Sequence, residues 1–264
     1  MMNWKEKVLG GLPLSDIEIL DAHDHIGRWN AFYIPKDGTI EQMVACMDAT
    51  GIDRVFVTAH AGIGPDYVYG NDIVADAIEK YPDRVWGYVT VNPNYGEDQI
   101  PEILRRFAKP GFRGIKLHPG CHGRPIDYFA YAPVYEYADE HKLPMLIHVW
   151  GKGDVAAIDR LSVTYPNVRF IMGHSGADWA GITYAMDLMN KRPNVYGDTA
   201  LSVAQEGNIE WMVHEADPKK ILFGSDMPFY DPTPTIGRIA LADISDEIKK
   251  DIFGRNLKRL MGIE

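Results

Sequence analysis

The chain has little cysteine, no long apolar run and a deficit of positive charge. Two of its 264 residues are cysteines, which does not suggest a disulfide framework and makes a reducing, cytoplasmic setting the simplest expectation. No run approaches the roughly 18 apolar residues that a membrane span needs. The first 14 residues also lack the continuous apolar segment of a secretory signal. We therefore expect a protein without a membrane partner.

The charge balance also excludes a class of partner. The chain has 27 basic and 37 acidic residues, a formal net charge of −10 and an isoelectric point near 5.4. Such an acidic surface offers no electrostatic attraction to nucleic acid. Hydrophobic residues make up 46% of the chain, which is enough for a sizeable core. We expect a small-molecule partner, and a homo-oligomer is left open.

Short apolar segments alternate with amphipathic helical patterns from beginning to end. Several of the apolar segments are almost entirely hydrophobic at their centres, as expected for parallel strands that are buried on both faces. The eight predicted strands are 17–23, 54–59, 84–91, 112–118, 144–149, 168–173, 194–199 and 220–225. The predicted helices begin near residues 39 and 71 and then cover 98–108, 131–141, 154–165, 178–191, 209–216, 234–241 and 246–261.

Eight strand–helix units in about 250 residues predict a single-domain α/β protein, a (β/α)8 TIM barrel. The domain spans residues 1–264, with an N-terminal lead at 1–16 and a C-terminal helix within 245–264. The alternative is an open, doubly wound sheet. No Gly-x-Gly-x-x-Gly motif follows the first strand, which disfavours a dinucleotide-binding form of that alternative.

Potential metal ligands gather at one end of the predicted strands. His23 and His25 are two residues apart, so both imidazoles can face the same side of a strand. His148, His174 and Asp226 end or follow the fifth, sixth and eighth strands. Each is ambiguous alone, since Asp226, for example, could cap a helix. Because burying all of them in a barrel mouth without compensation would be costly, their convergence predicts a metal site.

The ordered motifs DAHDH, GIKLHP, LIHVW, IMGHSG and FGSDMP resemble the amidohydrolase superfamily over residues 17–261. The closer resemblance is to the amidohydrolase-related branch that includes aminocarboxymuconate-semialdehyde and resorcylate decarboxylases. The resemblance implies that His23, His25, His148 and Asp226 bind a metal. It also implies that His174 either binds a second metal or assists the reaction directly.

Lys116 stands where binuclear relatives have a carboxylated lysine that bridges two metals. The alternative is an ordinary amine paired with an acidic residue, and the two interpretations stay open. Neutral imidazole and carboxylate ligands suit Zn²⁺ and also Mn²⁺, Fe²⁺ or Co²⁺. We therefore expect one or two divalent ions.

The loops that follow the strands are expected to line the substrate pocket. Arg28, Arg124 and Lys152 are the candidates to anchor a carboxylate by charge-assisted hydrogen bonds. The other expected substrate contacts are His118, His122, Trp29 and Trp150.

Three functions are compatible with this pattern. The first is hydrolysis of an ester, lactone or amide by metal-bound hydroxide, with Asp226 as general base and His174 as a donor to the developing oxyanion. The alternative is metal-dependent, non-oxidative decarboxylation of an aromatic or unsaturated acid. A catalytically silent metal-binding barrel is the third, and the full ligand set argues against it.

Overall fold

The strands form one parallel sheet in which each strand pairs with its neighbour in sequence. The computed structural model describes residues 3–29, 31–34, 36–200 and 204–263. The strands are β1 (Leu20–Ile26), β2 (Arg54–Ala59), β3 (Val85–Thr90), β4 (Phe112–Leu117), β5 (Pro144–Trp150), β6 (Arg169–Gly176), β7 (Val195–Asp198) and β8 (Ile221–Leu222).

Backbone hydrogen bonds between β1 and the segment after β8 close the sheet. The Ala22 N–H donates to the Phe223 carbonyl at 2.9 Å, and the His25 N–H donates to the Met227 carbonyl at 2.7 Å. In the other direction, the Asp226 N–H donates to the His23 carbonyl at 2.8 Å. The sheet is therefore a barrel, as the sequence predicts, and the open-sheet alternative is excluded.

Helices surround the barrel and connect its strands. The α-helices are Trp4–Leu9, Ile40–Thr50, His60–Ile63, Tyr67–Lys80, Gln99–Phe107, Pro119–His122, Ala132–Glu140, Gly151–Thr164, Trp179–Lys191, Asn208–Glu215, Pro232–Leu241, Asp246–Lys250 and Asn256–Met261. Short 3₁₀ turns occupy Pro93–Asp98, Phe129–Tyr131 and Pro218–Lys220. No helix in the described ranges is long and apolar enough to cross a membrane.

Two hydrophobic clusters divide the core. The larger one fills the space between the strands and the surrounding helices. The smaller one contains residues two apart on single strands, such as Leu20 with Ala22 and Trp86 with Tyr88. Residues at this spacing point to the same face of a strand, so we assign this cluster to the barrel interior. Leu257 and Leu260 of the C-terminal helix also belong to it.

Two differences from the sequence-based prediction concern the first strand and the C-terminal helix. Strand β1 begins and ends three residues later than predicted. His25 therefore lies inside the strand instead of after it. The predicted helix 246–261 is interrupted by a π-helical turn, Asp251–Arg255. In that turn the Ile252 carbonyl accepts a hydrogen bond from the Phe223 N–H at 2.9 Å.

The N-terminal lead forms a short helix, Trp4–Leu9, that packs against the outer helix Pro232–Leu241. Asn3 and Glu6 form a reciprocal capping box at its beginning. Residues 1, 2 and 264 of the predicted domain lie outside the described residues.

Candidate metal and substrate site

Strand alternation places the polar side chains of the site above the apolar interior of the barrel. On β5, Leu146 belongs to the interior cluster, and His148 and Trp150 follow on the same face. Phe56 precedes Thr58 on β2 in the same way. The switch from apolar to polar residues along one face thus builds a site at the C-terminal end of the barrel, where barrel enzymes hold their reactive groups.

An irregularity in β1 gives His23 and His25 their positions. The pairing of β1 with β2 shifts register between Asp21 and Asp24. Ala22 lies in the interior cluster, so a regular strand would turn both histidines to the opposite face. A bulge that offsets the alternation by one residue turns them toward the site instead.

His23, His25 and Asp226 form a compact group of buried ligand atoms. One ligand atom from each lies within 4.8 Å of the others. Asp226 Oδ1 is 3.1 Å from His25 Nε2 and 3.8 Å from His23 Nε2. The three atoms that face one another are thus two imidazole nitrogens and one carboxyl oxygen.

The outer nitrogens of both histidines have hydrogen-bond partners that orient the rings. His23 Nδ1 lies 2.9 Å from Asp198 Oδ2, and His25 Nδ1 lies 2.6 Å from Thr58 Oγ1. When Nδ1–H donates to these oxygens, each Nε2 turns a lone pair toward Asp226. Carboxylate–histidine pairs commonly orient metal ligands in this way. Three facing acceptors in a buried group match the needs of a divalent cation.

Burial favours the neutral, metal-binding form of these imidazoles. Desolvation lowers the pKa of His23 well below its usual value, and the nearby Lys116 amine lowers it further. The pKa of His25 is also lowered, first by desolvation and then by His60. Desolvation raises the pKa of Asp226, while His174 and Lys116 oppose that rise. A cation among these three groups would offset the electrostatic cost of a buried carboxylate.

Two aspartates of β1, Asp21 and Asp24, form hydrogen bonds to the segment that carries Asp226. The Ser225 N–H donates to Asp21 Oδ1 at 3.0 Å. Asp24 Oδ1 accepts from the Met227 N–H at 2.9 Å and from the Ser225 hydroxyl at 3.0 Å. Asp226 itself has a left-handed backbone, with φ at +64°. Its strained conformation is therefore fixed by hydrogen bonds on both sides.

Lys116 is fully buried beside the three acceptors. Its Nζ lies 2.9 Å from His23 Nε2, where the amine donates to the imidazole lone pair. Burial lowers the pKa of Lys116 to about 8, although Asp226 and Asp198 oppose this effect. The lysine thus reaches the position expected for a metal-bridging group. In the described geometry, however, it is an amine that contacts the nitrogen a metal would need.

His148, His174 and His118 form a second group of rings at the site. The His148 ring stacks on His118 with centroids 4.0 Å apart, and it lies 4.8 Å from His174. His174 is also 4.9 Å from His23. Its buried Nδ1 has no hydrogen-bond partner among the described residues. His148 is thus near the compact ligand group but is not part of it.

A cavity of about 330 Å³ opens above these groups. His25, His148, His174 and Asp226 reach its inner part, and aromatic side chains form much of its wall. The remaining lining residues are Trp29, Phe32, His60, Ile63, His118, Trp150, Phe229 and Tyr230. This lining combines polar ligand atoms with flat apolar surfaces, as small-molecule sites commonly do.

Three of the expected substrate contacts lie elsewhere. Arg28 has a side chain 75% exposed to solvent and forms an ion pair with Asp37. Arg124 donates to Asn94 Oδ1 at 2.8 Å, outside the residues that line the cavity. The His122 ring is buried next to the Tyr131 hydroxyl, 2.8 Å from Nδ1. Each of these side chains is held by a hydrogen bond or an ion pair with a neighbouring residue. Proximity in sequence to a strand end therefore did not bring them into the cavity.

Two residues of the site, Asp198 and His60, were not assigned a specific role from the sequence. Asp198 orients His23. It lies at the end of β7, and a position at the end of a strand is also what pointed to Asp226 after β8. His60 follows β2, lines the cavity and stacks between Trp29 and His25, with centroids 5.3 and 4.8 Å away. Its Nδ1 lies 2.6 Å from the Gly27 carbonyl, and its buried Nε2 lacks a partner among the described residues.

Comparison with known proteins gives a consistent result. The sequence profile described as amidohydrolase matches residues 20–263. A curated relative, 2-amino-3-carboxymuconate-6-semialdehyde decarboxylase of Dictyostelium discoideum, is 20% identical over 242 residues. That match covers 74% of this chain and 66% of the relative, slightly less than two thirds of its length.

Solved decarboxylase structures share the fold. A 2,6-dihydroxybenzoate decarboxylase in complex with 2,6-dihydroxybenzoate has a TM-score of 0.77 at 15% identity, covering 94% of this chain and all of the other. A 5-carboxyvanillate decarboxylase of Novosphingobium aromaticivorans, complexed with manganese and 4-hydroxy-3-methoxy-5-nitrobenzoic acid, has a TM-score of 0.77 at 19% identity. The coverage is 95% of this chain and 97% of that one.

Proposed function

Because this chain belongs to the amidohydrolase family, we propose that it is a metal-dependent decarboxylase of a small aromatic or unsaturated acid. The observation that carries the proposal is the buried group of His23, His25 and Asp226 at the floor of a cavity with aromatic walls. The comparisons also favour this reaction over hydrolysis, since the relatives described above with a stated reaction are decarboxylases.

The proposed metal site consists of His23, His25 and Asp226, with His148 as a fourth candidate. A divalent ion bound there would supply the positive charge that holds the substrate carboxylate and the oxygen next to it. Manganese is a plausible choice because it accompanies a related fold, and zinc also suits these ligand types. We propose one ion per chain, since the compact group contains three ligands and Lys116 contacts His23 as an amine.

Decarboxylation requires the carbon that loses CO2 to gain a proton. We propose that the carboxyl group of Asp226 delivers it from Oδ2, since Oδ1 faces the two histidines. The carbon–carboxylate bond breaks, its electron pair stays on the substrate carbon, and that carbon takes the proton. The products are CO2 and the protonated ring or chain, and Asp226 is left as a carboxylate.

His174 is proposed to orient the carboxylate that leaves. Its ring lines the cavity between His23 and His148, and burial lowers its pKa, so the imidazole is neutral at pH 7. A neutral imidazole can donate one hydrogen bond without adding charge to the site. Trp29, Phe229 and Trp150 would then hold the body of the substrate and exclude water.

The test is product analysis with the metal-loaded enzyme. The purified chain is stripped of metal, reloaded with Mn²⁺ or Zn²⁺, and incubated with a panel of carboxyl-labelled aromatic acids. Release of labelled CO2, abolished in Asp226→Asn, supports the proposal. If a parallel panel of esters and lactones gives new titratable acid while no acid of the first panel releases CO2, the enzyme is a hydrolase and the proposal fails.

A further inference from the structure

We propose that the substrate carries one carboxylate and no second anionic group. This inference rests on the proposed function, because the single carboxylate is the group that the floor of the cavity would bind. The substrates named for the related decarboxylases differ in this respect. 2,6-Dihydroxybenzoate has one carboxylate, whereas 5-carboxyvanillate has two.

The wall of the cavity contains no cation that could pair with a second carboxylate. None of the lining residues is lysine or arginine, and the residues outside the described ranges include neither type. The polar side chains on the wall include His60 and His118, whose rings stack on His25 and His148. Their ring nitrogens are hydrogen-bonding groups.

Lys152, in the first turn of the helix Gly151–Thr164, is exposed and lies outside the lining residues. Three other cations near the wall in sequence or in space have partners elsewhere. Arg28 pairs with Asp37 on the exposed surface. Arg124 is held by Asn94 and lies over the ring of Tyr128, with 4.9 Å between the guanidinium carbon and the ring centroid. Lys116 is buried beneath the site against His23. Its charge therefore adds to the floor, where the first carboxylate would bind, and not to the wall.

A second carboxylate would lose water without gaining a partner. It would lie against the faces of rings such as Trp29 and Phe229, and an unpaired charge in such surroundings is strongly disfavoured. The chain also carries a formal charge of −10, which repels a dianion further. An uncharged polar substituent of the same size would avoid these costs and could hydrogen-bond to the imidazole of His60 or His118.

The test compares two probes that have the same shape and differ by one charge. 3-Nitrobenzoate and isophthalate (benzene-1,3-dicarboxylate) both carry a planar, two-oxygen group at the ring position meta to the first carboxylate. Their dissociation constants are measured by calorimetry on the full, manganese-loaded chain at pH 7.5. We expect isophthalate to bind at least about tenfold more weakly, a difference of ~1.4 kcal/mol.

Trp150 provides a matched pair of variants. It lines the cavity and is more than half exposed, so a flexible polar side chain can replace it without entering the core. Trp150→Arg adds the missing cation and should reduce the difference between the probes to about threefold or less, whereas Trp150→Gln should preserve it. A reduction that appears equally in Trp150→Gln would contradict the electrostatic explanation.

Equal or tighter binding of isophthalate to the unmodified chain overturns the inference, as does failure of both probes to bind. These outcomes are separate from the fate of the proposed reaction. Preferential CO2 release from dicarboxylates would overturn the inference and leave the decarboxylase intact. Selective binding of 3-nitrobenzoate, with no CO2 released from any acid, would retain the inference and remove the reaction.

Discussion

Asp198 joins His23 to His174 through its two carboxyl oxygens. Oδ2 lies 2.9 Å from His23 Nδ1, and Oδ1 accepts a hydrogen bond from the His174 backbone N–H at 2.8 Å. His174 has a left-handed backbone, with φ at +67°. One buried carboxylate thus fixes both the tautomer of a proposed metal ligand and an unfavourable main-chain conformation.

The first prediction concerns this carboxylate. Asp198→Asn should weaken metal binding by about 10- to 100-fold, because the amide no longer stabilises the tautomer that turns His23 Nε2 toward Asp226. Competition with a chelating dye measures the affinity. Asp187→Asn is the control, since Asp187 forms only an exposed ion pair with Lys191. Equal affinity in Asp198→Asn and the control would remove Asp198 from the metal site.

The number of bound metals tests the role of Lys116. We expect about one ion per chain by elemental mass spectrometry, and almost none in a His23→Ala/His25→Ala double variant. Lys116→Met should retain the ion, because the amine only contacts His23 Nε2. Two ions in the unmodified chain, falling in Lys116→Met, would instead establish a bridging lysine.

The barrel and its catalytic end were predictable because both follow from periodicity. Strand-like segments that end within two residues of His25, His148, His174 or Asp226 place these residues at one end of a parallel barrel. The bulge in β1 was not predictable, since it depends on pairing with β2 and not on local composition. The wall of the cavity was only partly predictable, because loop conformation depends on local pairing, such as that of Arg28 with Asp37.

Substitutions in the loops can distinguish the wall from its surroundings. Arg28→Ala and Arg124→Ala should change KM by less than about twofold, because exposed ion pairs and surface contacts contribute little. Trp29→Ala should raise KM by about tenfold or more, since it removes an aromatic face of the cavity. The measurement is initial rates on an acid that the enzyme turns over. An equally large effect of Arg28→Ala would restore that residue as a carboxylate anchor.

His174 should affect turnover more than metal binding. His174→Asn should lower kcat by roughly 100-fold or more, a typical effect of losing a positioned hydrogen-bond donor to the reacting group. The metal content should stay unchanged, because His174 lies outside the compact ligand group. Steady-state kinetics and metal analysis on the same preparation check both parts. Loss of metal together with activity would identify His174 as a ligand.

The last prediction concerns stability in acid. Burial lowers the pKa of His122 from 6.5 to about 4. As pH falls below 6.5 the unfolded chain binds this proton first, and the folded chain takes it up only near pH 4. The free energy of unfolding must therefore fall across this window, by about 3 kcal/mol from His122 alone. Above pH 6.5 the residue makes no pH-dependent contribution.

His122→Asn isolates this effect, because the amide can keep the hydrogen bond to the Tyr131 hydroxyl but cannot titrate. The other buried histidines titrate in both proteins, so their contributions cancel in the difference. Urea unfolding at several values between pH 7.5 and pH 4 should show a smaller loss of stability in the variant. Parallel curves would mean that His122 is protonated equally in the folded and unfolded chains, and hence that its environment is not the buried one described.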